Sequence, residues 1–257
     1  MTTEPAAVAP GAAPAGSRVA VPHGIATRLC APSTLRRLAS LAGVMMLCLV
    51  VSSCGIGSWF HFERRAAWRD PANTACLKAG YARTSAYVRP MREIDGPGAC
   101  GIERPIRVSA AVNGQISISP KVTLSCPMVA WLDDWLYRSV IPAAEQIYGQ
   151  RVVAVVDAGS YNCRGRNGAK WGRLSEHSFA NAIDVSAFVL EDGRRVSVKK
   201  DWRGGTSEDQ LFLRSVMKSA CRRFTTVIGP DGDANHQDHL HMDLARHNAT
   251  RTYRYCK

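Results

Sequence analysis

The stretches EHSFANAID (residues 176–184) and HQDHLH (residues 236–241) contain four of the seven histidines in this 257-residue chain. A catalytic zinc ion usually takes three protein ligands, drawn from neutral imidazole and carboxylate, and leaves the fourth position to water. His177, Asp184 and His241 would supply such a set. The two stretches together therefore predict one mononuclear zinc site.

Alternating apolar and polar residues predict that both stretches enter β-strands. Asp184 lies among apolar neighbours, where an unpaired carboxylate is costly and a cation would offset the cost of burial. In the second stretch His239, His241 and Asp243 share one side of an extended run, so that two histidines can point into one cleft. We expect Asp243 to support a ligand or to be a satisfied polar group of the strand.

This pattern resembles that of zinc peptidases acting on bacterial cell-wall peptides. His-x-x-Gly-x-Ala-x-Asp followed far downstream by His-x-His is typical of D-Ala-D-Ala carboxypeptidases and dipeptidases and of penicillin-insensitive murein endopeptidases, which share a fold with hedgehog signalling domains. Residues 236–241 are most similar to the endopeptidase version, His-Asp-Asp-His-Phe-His. Over Cys76 to Arg246, the segments 96–102, 159–164, 174–177 and 226–230 are together similar to the bacterial extensin-like C-terminal domain family, a relative of these peptidases.

Carried over position by position, the resemblance implies a role for each matching residue. His177, Asp184 and His241 would bind the metal ion. His239 would act as the general base or stabilise the transition state, and His236 would support it.

Two positions depart from the resembling families. Ala180 replaces the usual glycine, which matters only if that residue adopts a positive φ angle. Asp238 stands where the carboxypeptidases have a glutamate as general base; it could act as a base, orient His239 or do neither, and His239 is the preferred base. Glu176, directly before a predicted ligand, is expected to orient that ligand rather than to act as a base.

The glycine-rich, basic segment from Arg164 to Gly172 is too polar to pack and is expected to line the cleft. Arg164 matches an arginine that the carboxypeptidases place near the substrate carbonyl. We expect Arg164, Arg166 and Trp171 to contact the substrate. For Arg166 and Trp171 the alternative is a solvated loop without a partner.

The remaining pattern predicts an α+β domain, because hairpins and helices are mixed along the chain. The predicted elements are a helix at 72–88, a hairpin of 106–112 and 116–119 with an Asn-Gly turn, an amphipathic helix at 127–148, a buried strand at 152–156, a strand through Asp184 to Leu190 returning at 195–198, a helix at 207–223 capped by Ser207, and a strand at 225–228. The tryptophans of the second helix, Trp131 and Trp135, are expected in the core rather than as sugar-stacking platforms. The resemblance implies a hedgehog/D-Ala-D-Ala-peptidase-like fold with a mostly antiparallel sheet packed by helices.

The N-terminal part predicts export. Residues 1–35 are rich in alanine, proline and glycine and are predicted to be disordered. Residues 36–60 are predicted to be a membrane anchor or a lipoprotein signal, since 23 uncharged residues from Leu38 to Phe60 follow Arg36 and Arg37. Lipidation at Cys54, an uncleaved transmembrane helix and simple secretion are the alternatives. Each places the third segment, residues 61–257, outside the cytoplasm, on the periplasmic side of the cell envelope.

Cysteine usage agrees with an exported domain. Six of the nine cysteines lie beyond the N-terminal segment, at positions 76, 100, 126, 163, 221 and 256. An even number in an exported domain predicts disulfides, but the sequence does not choose a pairing. Buried free thiols or zinc ligands are the alternative.

The formal net charge of +12 favours an anionic partner. Peptidoglycan or another anionic cell-wall polymer fits this charge, and the membrane is a partner through the N-terminal segment. Nucleic acid is not expected, since no nucleic-acid-binding module is present. The resulting hypothesis is a zinc-dependent hydrolase of amide bonds in peptidoglycan stem peptides or cross-links; a non-catalytic envelope-binding module with a structural zinc ion and a hydrolase of another amide or ester are the alternatives.

Overall fold

A computed structural model describes residues 65–169, 172–250 and 252–257. The predicted disordered segment 1–35 and the predicted anchor or signal at 36–60, with Cys54, lie outside this part of the chain. Within it, no helix has both the length and the apolar character needed to cross a bilayer.

The described chain alternates helices with short strands. The helices are α1 (Arg69–Lys78), α2 (Cys126–Trp135), α3 (Ile141–Tyr148), α4 (Val198–Gly204) and α5 (Ser207–Ala220). The strands are β1 (Val88–Pro90), β2 (Ile94–Asp95), β3 (Gly101–Ile102), β4 (Ile106–Ala111), β5 (Ile116–Leu124), β6 (Val152–Gly159), β7 (Ala182–Leu190), β8 (Arg195–Ser197), β9 (Thr226–Ile228), β10 (Leu240–Asp243) and β11 (Tyr255–Cys256). Short 3₁₀ turns lie at Val112–Gly114, Arg166–Gly168, Glu176–Phe179 and Ala234–His236.

The described strands form one mixed sheet of nine and a small hairpin of β2 and β3. The order in the large sheet is β1-β4-β5-β6-β7-β10-β9-β11, with β8 paired to β7. The pairs β5/β6 and β9/β11 are parallel, and the other pairs of this sheet are antiparallel. The predicted α+β class, with a mostly antiparallel sheet, is confirmed.

The pairing of β7 with β10 brings the two predicted metal-binding stretches together. His241 lies directly opposite Asp184 in the antiparallel register. Residues paired in this way have Cβ atoms about 5 Å apart. Residues 57 positions apart in the chain therefore become neighbours through backbone pairing alone.

Aromatic residues fill the space between the sheet and the helices. Trp135 makes edge-to-face contacts with Phe188 at 6.1 Å and with Phe224 at 6.2 Å between ring centroids. Its indole Nε1 donates to Ser219 Oγ at 2.9 Å, so the only polar atom of the ring is satisfied in the core. The prediction of a core position is confirmed for Trp135 and wrong for Trp131, which is 42% exposed.

The long second helix is interrupted where the sequence contains Pro142. A π-helical turn at Leu136–Val140 separates α2 from α3. Pro142 has no backbone N–H and cannot make the α-helical hydrogen bond of its position. In the turn just before it, the backbone N–H of Ile141 bonds to the carbonyl of Leu136, five residues earlier, as in a π-helix. The predicted single helix at 127–148 is therefore two helices.

Two other helix boundaries differ from prediction for local reasons. The first helix ends at Lys78 rather than near residue 88, because Gly80 takes a left-handed conformation with φ +76° that ends the helix. The N-cap of α5 is Thr206 rather than Ser207, since Thr206 and Asp209 form a reciprocal capping box.

Three disulfides use all six cysteines of the described chain. They join Cys76 to Cys126, Cys100 to Cys163 and Cys221 to Cys256. The expected disulfides are confirmed, and the alternative of free thiols or thiolate ligands is wrong for these residues. The second bridge fixes the chain one residue before Arg164.

Candidate metal centre

Three side chains predicted to share a metal ion converge in the structure. Asp184 lies in β7, His241 in β10 and His177 in the 3₁₀ turn Glu176–Phe179. His241 Nδ1 is 2.9 Å from Asp184 Oδ1, and His177 Nε2 is 3.1 Å from His241 Nδ1 and 3.2 Å from Asp184 Oδ2. All three side chains are buried, and one donor atom from each lies within 4.8 Å of the others. These three residues, called the trio below, could hold a metal ion.

Each histidine of the trio makes a hydrogen bond through the ring nitrogen that points away from the centre. His177 Nδ1 donates to the carbonyl of Ser160 at 2.6 Å, and His241 Nε2 donates to Asp243 Oδ2 at 3.0 Å. A neutral imidazole carries a proton on one nitrogen and a lone pair on the other. In the neutral form that binds a cation, these bonds therefore leave the lone pairs of His177 Nε2 and His241 Nδ1 facing Asp184; in the protonated form the same nitrogens donate to its carboxylate. Metal-binding histidines are held by carbonyl and carboxylate groups in this way, so the donor set fits a divalent cation.

The charges of the trio are strongly coupled. Burial alone would raise the pKa of Asp184, but hydrogen bonds from His177 and His241 outweigh it and hold that pKa far below its ordinary value. Burial lowers the pKa of His241, yet the carboxylates of Asp184 and Asp243 raise it to about 10. A cation and the proton on His241 therefore compete for the same nitrogen.

Two serines shape the turn that presents His177. Ser175 caps the turn by accepting from the backbone N–H of His177 at 3.4 Å. Ser178 Oγ accepts from the backbone N–H of Arg164 at 3.0 Å and lies 2.9 Å from the carbonyl of the same residue. The turn that carries one ligand is thus tied to the loop that carries Arg164.

Ala180, which follows this turn, adopts φ +52° in the left-handed region. The position therefore needs the positive φ angle that glycine adopts without strain. Alanine in this conformation costs roughly 1–2 kcal/mol. Its N–H bonds to the carbonyl of His177 at 3.1 Å, which ends the turn.

Two further histidines lie beside the trio, in the segment before β10. His239 Nε2 is 3.6 Å from Asp184 Oδ1, and its Nδ1 donates to Asp238 Oδ1 at 2.8 Å. His236 packs against His239 with ring centroids 5.1 Å apart, and its Nδ1 donates to Asp233 Oδ1 at 2.7 Å. Of the roles left open for Asp238, orienting His239 is the one that its contact supports.

The trio and these two histidines line a cavity of about 630 Å³, called the metal-site cavity below. Its wall continues past the trio to Thr226, His247 and Tyr255. Thr226 Oγ1 lies 2.9 Å from His247 Nε2, so His247 has a polar partner. A cavity of this size is ordinary for a small-molecule or peptide-binding cleft.

The model of the extensin-like protein C-terminus family matches residues 74–257, most of the chain. The chain belongs to this extensin-like family. The match spans the trio, all five histidines at the metal-site cavity and the three disulfides. No curated protein and no solved structure matches the chain.

In this extensin-like domain the three residues predicted to contact the substrate differ from one another in where they lie. Arg164 Nη2 lies 3.7 Å from Asp184 Oδ2, at the edge of the trio. Arg166 is exposed and lines the same cavity. Trp171 lies outside the described residues.

Glu176 supports the turn of His177 rather than the His177 ring. Its carboxylate accepts two hydrogen bonds from Arg69, at 2.7 and 2.8 Å, and one from Asn181 at 2.6 Å. Arg69 belongs to α1, so this ion pair fastens the turn to the first helix. Its two parallel bonds have the geometry in which arginine and carboxylate bind most strongly.

Several supporting groups at the extensin-like site were not singled out from the sequence. Asp233 stands three residues before His236, and that short spacing is a signal that could have identified it. Ser160 contributes a backbone carbonyl, which no side-chain pattern can reveal. Arg69 lies 107 residues from its partner Glu176, and nothing local links them.

Asp157, on β6, is a buried carboxyl group beside the site. Its Oδ1 has no hydrogen-bond partner among the described residues. Burial raises the pKa of Asp157 to about 7; a backbone hydrogen bond from Gly159 opposes this shift, and the charge of Asp184 adds to it. The folded state therefore holds this proton to higher pH than the unfolded chain does.

This pKa predicts a pH-dependent effect of Asp157→Asn. The folded-state pKa of about 7 exceeds the ordinary value of 3.8. The free energy of unfolding of the wild type therefore falls as the pH rises from 3.8 to about 7, and it stays at the lower value above that pH. Asparagine keeps the shape without the charge. We expect urea unfolding to show the variant more stable than the wild type at pH 8, by on the order of 1–3 kcal/mol, and a much smaller difference at pH 4.5. An equal difference at both pH values would contradict the shift.

Proposed function

We propose that this extensin-like domain is a zinc-dependent hydrolase of amide bonds in peptidoglycan stem peptides or cross-links. The observation that carries the proposal is the trio, in which one carboxylate and two imidazole lone pairs face one point while both outer ring nitrogens are held. Three nitrogen and oxygen ligands with one further position for water are the usual protein contribution to a catalytic zinc site.

The side chains around the trio supply the other parts of amide hydrolysis. Zinc held by the trio would lower the pKa of a water molecule and polarise a substrate carbonyl. His239 Nε2 accepts a proton from the attacking water, and Asp238 keeps this nitrogen available by holding the proton of Nδ1. The guanidinium of Arg164 faces the same point and stabilises the negative charge that develops on the carbonyl oxygen.

The sequence and the disulfides support the proposed substrate class and location. The spacing of His177, Asp184 and His241 resembles that of cell-wall zinc peptidases, and we propose that the domain shares their fold. The predicted N-terminal anchor or lipidated Cys54 and the three disulfides support a position on the periplasmic side of the cell envelope. Peptidoglycan, with its carboxylate-rich stem peptides, is the proposed partner of the basic chain.

One observation favours a second function, a zinc-stabilised binding module without turnover. Asp238 replaces the glutamate that the resembling carboxypeptidases use as a base. Its side chain is 57% exposed and bonded to His239 instead of to the trio.

Metal removal separates the two functions. We expect purified protein to release soluble peptide fragments from isolated sacculi, and a chelator to reduce this release by at least about 100-fold, because the metal supplies both activated water and charge stabilisation. Zinc added back should restore the rate. Chelation that lowers the melting temperature while no fragments are released at any zinc concentration would support the binding module.

Arg164→Ala is expected to lower kcat by about 100-fold with little change in KM, because its guanidinium acts on charge that develops in the transition state. The measurement is the initial rate of fragment release over a range of substrate concentrations. Arg195→Ala, which removes an exposed arginine from β8, is the matched control and should retain the wild-type rate. An unchanged rate for Arg164→Ala would rule out this role.

A further inference from the structure

A groove of about 830 Å³ lies between α1 and the outer face of α2, and it shares no wall residue with the metal-site cavity. Three aromatic side chains line it: Tyr81, Trp131 and Tyr137, which are 70, 42 and 57% exposed. A group of exposed aromatic side chains around one groove can mark a binding site. We call this feature the aromatic groove.

The helix geometry explains why Trp131 faces the groove and not the core. Pro127, Ala130, Trp131 and Asp134 recur at helical spacing along one face of α2, and all four line the groove. Trp135 follows one turn after Trp131, about 40° further round the helix toward the core, and is fully buried. The π-helical turn that follows then brings Tyr137 to the same groove.

The walls of the aromatic groove are held in place. The disulfide between Cys76 and Cys126 joins α1 to the first residue of α2, and Cys76 is itself a wall residue. Asp133 Oδ1 accepts from the backbone N–H of Val112 at 2.5 Å. A groove with fixed walls loses little entropy when a ligand binds.

The chemistry of the wall suits sugar rings. Tyrosine and tryptophan present a flat apolar face with a polar edge, which matches the C–H face and the hydroxyl rim of a pyranose. The groove walls also contain two carboxylates, Asp133 and Asp134, which can accept hydrogen bonds from hydroxyl groups, and one guanidinium, Arg138. Among the described wall residues there is no leucine, isoleucine, valine or methionine, which an amphipathic helix of a protein partner would need. Arg138, the one cation among the described wall residues, is paired with Asp134, so no free cation of the wall awaits an anionic ligand, which favours uncharged sugars.

A further recess shares wall residues with both the aromatic groove and the metal-site cavity. This recess has a volume of about 360 Å³ and shares Pro127 and Trp131 with the aromatic groove. It also shares Ala245 with the metal-site cavity. The three features therefore follow one another along the protein, an arrangement that suits an extended polymer better than a small molecule.

We propose that the aromatic groove binds uncharged N-acetylated amino-sugar rings and so holds the glycan strand of the polymer whose peptide is cut at the trio. The identity of the polymer rests on the proposed function, whereas sugar binding by the groove does not require hydrolysis. Trp131 is the main stacking platform, and Tyr81 and Tyr137 offer further stacking surfaces in the same groove.

Binding of a neutral amino-sugar oligomer tests this directly. The probe is the β-1,4-linked tetramer of N-acetylglucosamine, titrated into full-length protein in detergent by isothermal titration calorimetry, with and without chelator. We expect the same affinity in both conditions, a loss of about tenfold or more for Trp131→Ala and a smaller loss for Tyr137→Ala. Tyr87→Ala is the matched control, because Tyr87 has the same 42% exposure as Trp131 but lies outside the groove, and its affinity should stay within twofold of the wild type.

The outcomes separate the groove from the catalytic proposal. The proposal is overturned if the wild type does not bind the tetramer at millimolar concentration, or if Trp131→Ala binds as the wild type does. Self-association that depends on Trp131, without sugar binding, would assign the groove to a protein partner and would also overturn it. Tetramer binding that depends on Trp131 supports the groove even if sacculi are never cleaved, in which case only the hydrolase proposal fails.

Discussion

Asp184→Asn is expected to weaken zinc binding by more than about 100-fold. Asp184 supplies the only negative charge of the trio, and its oxygens lie within 3.2 Å of both histidine donor atoms. Loss of a group that merely orients a metal ligand typically costs 10- to 100-fold in affinity, and loss of a charged ligand should cost more. Competition with a chromophoric chelator gives the affinity, and elemental analysis after dialysis gives the zinc content.

Asp157→Asn is the matched control for this change. It is the same substitution at a buried aspartate on the neighbouring strand β6, outside the trio. Its zinc affinity should remain within a few-fold of the wild type. If both variants lose zinc equally, loss of a buried negative charge near the site rather than loss of a ligand is responsible.

His239→Ala is expected to lower kcat by about 100- to 10,000-fold while zinc binding stays unchanged. This range is typical for loss of a general base. His239 Nε2 is 3.6 Å from Asp184 Oδ1, near enough to act on a water molecule at the trio, and its other nitrogen is held by Asp238. Fragment release from sacculi and zinc content should be measured on the same preparation.

His247→Ala controls for the loss of an imidazole from the same cavity. His247 bonds to Thr226 and makes no described contact with the trio, so we expect an activity within threefold of the wild type. A His239→Ala variant that loses both zinc and activity would show that His239 is a ligand and would contradict its assignment as the base.

The local structure around each predicted ligand could be predicted from the sequence, because it depends on residues that are close together in the chain. The strands around Asp184 and His241 followed from alternation, and the α+β class followed from the mixture of hairpins and helices. The register that places His241 opposite Asp184 did not, since strand pairing depends on the whole sheet. The zinc-ligand residue types of the two stretches, and their resemblance to known peptidases, joined them into one site.

The errors have physical causes that are visible in individual residues. Trp131 was assigned to the core because it recurs with Trp135 at helical spacing, but it lies at the edge of the buried face of α2 and is 42% exposed. Glu176 was expected to orient a ligand, and this stays a prediction; the contact with Arg69, through which Glu176 holds the turn of His177, could not be foreseen from local spacing. Gly80 and Pro142 interrupt predicted helices through backbone conformation and a missing N–H, effects that hydrophobic periodicity does not register.

The cross-strand pair of Asp184 and His241 separates what is fixed in this domain from what can change. Two donor atoms of the trio are positioned by backbone pairing in the interior of the sheet, whereas Arg164, Arg166 and the aromatic groove belong to a loop and an outer helix face. The loop of Arg164 also reaches the third donor, since Ser178 joins it to the turn of His177, whereas the aromatic groove shares no wall residue with the metal-site cavity. Engineering of the proposed polymer contacts should therefore begin in the groove, where side chains can be exchanged at the least cost to cation affinity.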